Sequence, residues 1–450
     1  MMSLAEAARF AEGRLHGADA VFSGVSTDSR SLVRGELFVA IRGERYDGHG
    51  FLGMAQDKGA AGALIDGRHA GAAPLPVIVV DETRRALGRI GRSWRGRFAP
   101  VLIAITGSNG KTTTKEMLAS ILRAHAGDAA VLATKGNLNT DIGVPLTLLG
   151  LRAGHKYAVV ELGMNHPGEI ATLAALARPT EALVNNAQRE HLEFMRSVEA
   201  VAAENASVFD ALPTDGVAVI NADDGQAAVF RHAAGLRRKV EFGLDAPAPV
   251  SGNYALKHLS SEIAISTPAG KCSATLAIPG LHNVRNALAA AACAHAAGVP
   301  PAAIGAGLGA FRPYGGRLQV KRAASGATVI DDSYNANPDS VRAAIDVLAA
   351  CPPPAALVLG DMGEVGEHGP AFHREVGEYA RSRGIGALYA LGEASREAVK
   401  AFGAGARHFA SAEELVKALP RDATVLVKGS RFMRMERVVA ALTGEAQGGH

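Results

Sequence analysis

Residues Val101 to Met117 read VLIAITGSNGKTTTKEM. Val101 to Ile105 is an apolar run without helical periodicity, which predicts a buried strand ending where Thr106 and Gly107 open a turn. In TGSNGKTT, Gly107 and Gly110 let the backbone of Thr106, Ser108 and Asn109 curl so that successive N–H groups point at an anion. Lys111 adds a cation, and Thr112, followed by Thr113, adds a hydroxyl suited to Mg2+. Met117, Leu118, Ile121 and Leu122 recur at helical spacing, so a helix N-terminus also faces the anion. Strand, loop and helix together predict a site for a nucleoside triphosphate. The general pattern GxxxxGK[ST] asks for glycine where this chain has Ile105.

Outward from this loop, residues 82 to 314 repeat strand, loop and helix. Apolar runs at Val101 to Ile105, Tyr157 to Val160, Ala182 to Val184 and Val217 to Ile220 are each followed by a polar or glycine-containing segment. That pattern predicts an open parallel sheet with ligands beyond the carboxyl ends of its strands. Glu161, directly after the second run, is a carboxylate that needs a cation, and Mg2+ bridging to phosphates is the natural one. Asn185, Asn186 and His191 follow the third run and join the candidates. Residues 245 to 278 alternate as a peripheral β excursion, and LHNVRNALAAAACAHAAG then opens an apolar helix. Asn283 and Asn286, three apart, share a face able to meet a purine or ribose; helix capping by Asn283 is the plainer alternative.

Residues 1 to 81 alternate short apolar runs (ELFVAI, GALI, PVIVV) with polar turns and read as a small α/β domain. Two of its loops are unusually polar: Ser26, Thr27, Asp28, Ser29 and Arg30, and the stretch Arg42 to His49, which includes Gly43 and Asp47. After FRPYGGR the composition resets, and residues 315 to 450 give TVIDD, ALVLGD, ALYAL and TVLVKG between helical segments, a second doubly wound unit with Asp332, Asp361 and Lys428 at strand ends. The last residues, GEAQGGH, are expected to be disordered. The fold class is therefore α/β in three domains, 1–81, 82–314 and 315–450.

At 450 residues the chain exceeds one ordinary core. With a net charge of only +3, nothing in the global balance argues for nucleic acid or an anionic membrane as a partner, and neither is expected. The densest basic patch, Arg84 to Arg97, sets Arg85, Arg89 and Arg92 against Leu87, Ile90, Trp94 and Phe98 and reads as an amphipathic helix. Three scattered cysteines fit a reducing cytosol, and Glu6, Arg9 and Glu12 interrupt any signal-peptide core. The expectation is a cytoplasmic monomer acting on small molecules, away from membranes.

Taken in order, TGSNGKTT, VVELGM, NNAQREHLEF, HNxxNA from His282 to Ala287, Gly316-Arg317 and DDSYNANP from Asp331 to Pro338 resemble the Mur ligases, ATP-dependent amide-forming enzymes of peptidoglycan synthesis. The resemblance covers nearly the whole chain and accounts for Ile105, because that family's phosphate loop is shortened. STDSR and GELFVAIRGERYDGHGF narrow it to the branches adding the third residue and the terminal dipeptide. DDSYNANP, TTTKEM, TKGNLNTDIGVPL and LGDMGEVGEHG are similar to the branch adding D-alanyl-D-alanine to UDP-N-acetylmuramoyl-tripeptide, and the DNPR motif of the other is absent.

The resemblance implies a small UDP-binding domain, a central mononucleotide-binding domain and a C-terminal Rossmann-like domain. It makes Lys111, Glu161 and His191 catalytic, with Thr112, Glu161 and His191 holding the metal or its water. It places ATP and Mg2+ on the loop, with Asn283, Asn286, Arg317 and Asp332 around the nucleotide. Ser26 to Arg30 and Arg42 to His49 become the UDP-sugar site, and Asn139 and Thr140 substrate contacts. Where sister ligases carry a carboxylated lysine for a second metal, AAENASVF offers Asn205. The strand ends left for the acceptor include Lys428, Ser430 and Arg431, donors suited to the dipeptide carboxylate. The rival readings are the sister ligase adding the third residue and, from another class, a P-loop kinase or motor ATPase. A motor would need a strand ending in a Walker-B-like aspartate and an arginine finger, neither of which the sequence reveals.

Overall fold

A computed structural model describes residues 1–43 and 46–445. Of the sequence expectations, Glu44 and Arg45 in the second polar loop and residues 446–450 of the tail lie outside the described residues.

The central sheet has nine strands, ordered Gly270–Leu276, Ser261–Thr267, Val250–Leu256, Arg238–Gly243, Val217–Asn221, Glu181–Val184, Val101–Thr106, Tyr157–Glu161 and Val131–Ala133. The six strands from Arg238–Gly243 to Val131–Ala133 are mutually parallel, as the buried apolar runs require. The three strands between 250 and 276 extend the sheet as an antiparallel excursion. Val101–Thr106 lies between Tyr157–Glu161 on one side and Glu181–Val184 on the other, so the connections diverge at its carboxyl end. That topological switch point opens a crevice, and the glycine-rich turn sits in it.

Helices Lys111–Ala126 and Leu281–Ala296 pack on one face of this sheet. Met117, Leu118, Ile121 and Leu122 are fully buried there. The basic helix spans Thr83–Arg95, and Leu87, Ile90 and Trp94 face inward as their spacing predicts. A five-stranded sheet, Arg14–His16, Val77–Val80, Gly62–Asp66, Leu37–Val39 and Val25–Ser26, lies N-terminal to it. A six-stranded sheet, Gln319–Arg322, Thr328–Asp332, Thr424–Lys428, Ala355–Gly360, Ala387–Leu391 and Ala406–Phe409, lies C-terminal. The edge strands Val131–Ala133, Gln319–Arg322 and Ala406–Phe409 are additions to the sequence reading: each is short and half-exposed, and the last two have no continuous apolar run to mark them. No helix among the described residues is long and apolar enough to cross a membrane.

Candidate active site

The turn after Val101–Thr106 is built on two left-handed glycines, with φ of 134° at Gly107 and 80° at Gly110. A Cβ on Gly110 would stand 2.2 Å from Asn286 Oδ1, so both conformation and space require glycine there. Lys111 begins the helix, and its ammonium donates to Gly107 O at 2.5 Å and Ser108 O at 3.0 Å, with Glu190 3.4 Å away. Thr112 Oγ1 donates to Glu161 Oε1 at 3.1 Å, and Asn139 Nδ2 donates to the same oxygen at 2.9 Å. Glu161 is buried, and its Oε2 has no hydrogen-bond partner. A buried carboxylate oxygen left over beside a threonine hydroxyl is a hard-oxygen set suited to Mg2+.

These groups border a cavity of about 1280 Å³ that also receives His191, Arg317, Tyr334, Glu364, Lys428 and Arg431. A second cavity of about 400 Å³ adjoins it, bordered by Asn109, Asn283, Asn286, Arg317 and Asp332. Asn283 and Asn286 do share one helix face, but Gly280 occupies the cap position. Their amides are buried and bound to each other, with Asn286 Nδ2 donating to Asn283 Oδ1 at 3.1 Å. Arg317 stacks on Tyr334, its carbon 4.1 Å from the ring centre, and its Nε is buried without a partner, a donor available to a ligand. Burial in this wall pushes the neighbouring His282 down to a pKa of about 4, so its imidazole is neutral.

Of the acceptor candidates, Lys428 is fully enclosed: it donates to Asp332 at 2.5 Å and to Asn335 O at 2.9 Å, and burial lowers its pKa despite the Asp332 carboxylate. Asp332 is correspondingly occupied, accepting also from Leu318 N. Ser430 bridges Gly363 N and Ala336 O. Arg431 alone of the three presents a half-exposed guanidinium to the large cavity, beside Glu436 and Tyr334.

The two polar N-terminal loops border neither cavity. They leave the carboxyl ends of the adjacent parallel strands Val25–Ser26 and Leu37–Val39. Ser26 Oγ and Asp28 close a tight turn, Arg30 pairs with Asp28, and Ser29 is buried. In the second loop Arg42 pairs with Asp47 and Asp66, and His49 is clamped between Asp47 at Nδ1 (2.6 Å) and the Asp66 N–H at Nε2 (3.0 Å). His49 holds Asp47 at a pKa of about 2. Asp47, His49 and His69 lie close enough to suggest a metal. The two imidazoles are stacked at 4.1 Å, and both His49 nitrogens are already engaged, so the cluster serves as a structural clasp.

Family models match in sequence along the chain: Mur ligase family, catalytic domain over residues 21–95; Mur ligase middle domain over 105–294; and Mur ligase, glutamate ligase domain over 316–431. The UDP-N-acetylmuramoyl-tripeptide--D-alanyl-D-alanine ligase of Escherichia coli K12 is 41% identical over 449 residues, covering 98% of each chain. The chain belongs to the Mur ligase family.

A relative of the same name from Bacillus subtilis is 33% identical, covering 94% of this Mur ligase and 93% of its own length. A crystal structure of MurF from Acinetobacter baumannii superposes with a TM-score of 0.90 at 34% identity, covering 98% of both chains. MurF ligase from Thermotoga maritima in complex with ADP shares the fold, with a TM-score of 0.80 at 24% identity, 94% coverage here and 98% there.

Asn205 is fully buried, accepts from Thr106 Oγ1 at 2.6 Å and donates to Val201 O at 2.9 Å. It anchors the end of the phosphate-loop strand and offers no metal ligand. Three further residues in or behind the site escape the sequence reading. Lys115 has no exposed surface; its ammonium donates to Thr134 O at 2.8 Å and stands 3.7 Å from the unpartnered Glu161 oxygen. Its position on the stripe with Leu118 and Leu122 is the signal that marks it, a charge where the period demands an apolar residue. Glu190 faces Lys111, and Arg189 clamps Asp339 and Glu375 at 2.6 and 2.7 Å. No periodicity marks those two.

Proposed function

We propose that this Mur ligase joins D-alanyl-D-alanine to UDP-N-acetylmuramoyl-tripeptide at the expense of ATP. The observation that carries the reading is a full-length relation, 98% of both chains at 41% identity, to a ligase of that name. The cavity chemistry supports it. A carboxylate is a poor electrophile, so the γ-phosphoryl group of ATP is first transferred to it, giving an acyl phosphate and ADP. The amine of the dipeptide then attacks the acyl carbon, and the tetrahedral intermediate collapses to amide and phosphate.

Lys111 leaves Glu190 for the phosphates and spreads the charge of the transferring group. The backbone of residues 106 to 110 cradles the phosphates, and Asn283, Asn286, Arg317 and Asp332 border the nucleotide. Thr112 and Glu161 would hold Mg2+, with His191 facing the same cavity; when bound, the ion would neutralise phosphate charge. Arg431 is the cation left for the dipeptide carboxylate, while Asn139 and Thr140 line the side toward the UDP-tripeptide. The polar loops at 26–30 and 42–49 take the UDP-sugar, consistent with their shared sheet end. We place the domain limits near 81 and 314, between the strands of the three sheets, and the working form as a cytoplasmic monomer.

Phosphate release measured with UDP-tripeptide, ATP and D-alanyl-D-alanine, each omitted in turn, tests the reading. Release should need all three. Turnover with free lysine or diaminopimelate in preference to the dipeptide would move the chain to a sister branch.

A further inference from the structure

His191 and Glu364 come from different sheets' loops and meet across the large cavity. Both hold a left-handed backbone rare for residues with side chains, φ of 51° and 58°. Strain of that kind persists where the surroundings over-determine it, and it gathers at functional sites. The two face each other: His191 Nδ1 stands 2.6 Å from Glu364 Oε2, and Glu193 N donates to Glu364 O at 3.5 Å. Gly366 closes the contact, since a Cβ there would lie 3.3 Å from Glu193 Cα. The imidazole is nine-tenths enclosed, and its other nitrogen, Nε2, points to Glu190, 3.6 Å away beside Lys111. Glu364 Oε2 lies off the Nδ1–H direction, so the pair is in close contact without forming an aligned hydrogen bond. Catalytic hydrogen bonds commonly tighten in this way only once substrates are in place.

We infer that Glu364 is a positioning residue that acts through His191: accepting the Nδ1–H, it fixes the tautomer whose Nε2 presents a lone pair to the phosphate cavity. An imidazole that must offer one nitrogen to a metal or its water is regularly oriented by a carboxylate on the other. Here the carboxylate arrives from the C-terminal sheet, between Ala355–Gly360 and the helix Gly369–Ser382, whereas the histidine belongs to the central one. The histidine is therefore oriented only while the two units are docked. This rests on the placement of His191 in the active site proposed above.

The test compares Glu364→Ala, Glu364→Gln and His191→Asn in the full-length enzyme. Glu364→Ala should lower kcat about 10- to 100-fold, with KM for ATP and UDP-tripeptide within about threefold. Glu364→Gln, whose amide oxygen still accepts the Nδ1–H, should recover most of the loss. Long-range proton–nitrogen spectra of histidine-labelled protein, with His191 assigned by its loss in His191→Asn, should show the Nδ1–H form in the wild type and a shift toward Nε2–H in Glu364→Ala. A folded Glu364→Ala with unchanged kcat or an unchanged His191 tautomer overturns the inference while leaving the site intact. A fully active His191→Asn overturns both.

Discussion

Glu181 opens the strand Glu181–Val184 at the sheet end opposite the phosphate loop, paired with Ile103 and Val217. It is only 5% exposed, one carboxylate oxygen has no partner, and burial raises its pKa from 4.5 to about 8, against weak opposition from Arg238. An acid whose folded pKa is raised contributes its stability in full below the unfolded value and loses it as pH climbs through the folded one. With about 1.4 kcal/mol per tenfold change in acidity, the difference between 4.5 and about 8 amounts to about 5 kcal/mol, withdrawn across that window. Glu181→Gln keeps the shape and removes the titration. Urea unfolding of both proteins at about pH 5.5, 7 and 8.5 gives the comparison: the variant should gain on the wild type by up to about 1.4 kcal/mol per pH unit, levelling above pH 8. Activity should be untouched, since Glu181 borders neither cavity. Two stability curves that run parallel across this range would refute the argument.

Lys111→Ala should lower turnover at least ~100-fold with the fold intact, and Glu161→Gln should behave similarly with partial rescue by high Mg2+; steady-state kinetics alongside circular dichroism checks both. Because Asn205 is committed to Thr106 and Val201, activity should not change when bicarbonate and dissolved CO2 are stripped from the buffer; a loss restored by bicarbonate would count against it. Arg431→Ala should raise KM for D-alanyl-D-alanine at least ~10-fold, as expected for a lost charged contact, while leaving that for ATP unchanged. Lys428→Ala, which strips Asp332 of its buried partner, should instead lower the unfolding midpoint as well as all activity.

The phosphate loop was legible because strand, glycine turn and helix each have a local signature, and the order of apolar runs carried the parallel sheet with it. Glu161 was legible too, since a carboxylate closing an apolar strand needs a cation. The partners of these groups were not. That Lys428 spends its charge on Asp332, 96 residues away, depends on two strands lying side by side, which no local pattern encodes. Arg431, three residues on, looked equivalent in KGSR and differs only because the chain turns it outward. Asn283 shows the same limit: its spacing put it on one face with Asn286, but its amide nitrogen donates back to Pro279 O, just ahead of the helix, in place of capping it.

The segment Gln188 to His191 touches both partners of the reaction chamber at once. Gln188 Oε1 accepts from Asn109 of the phosphate loop, Arg189 grips Asp339 and Glu375 of the C-terminal unit, and Glu190 faces Lys111. A phosphate that draws Lys111 away alters the charge balance on the very stretch of chain that carries the neighbouring unit. Coupling of this kind is reciprocal: whatever factor nucleotide contributes to docking, docking returns to nucleotide affinity. Arg189 borders neither cavity, so any effect of its substitution on nucleotide affinity would have to run through this docking.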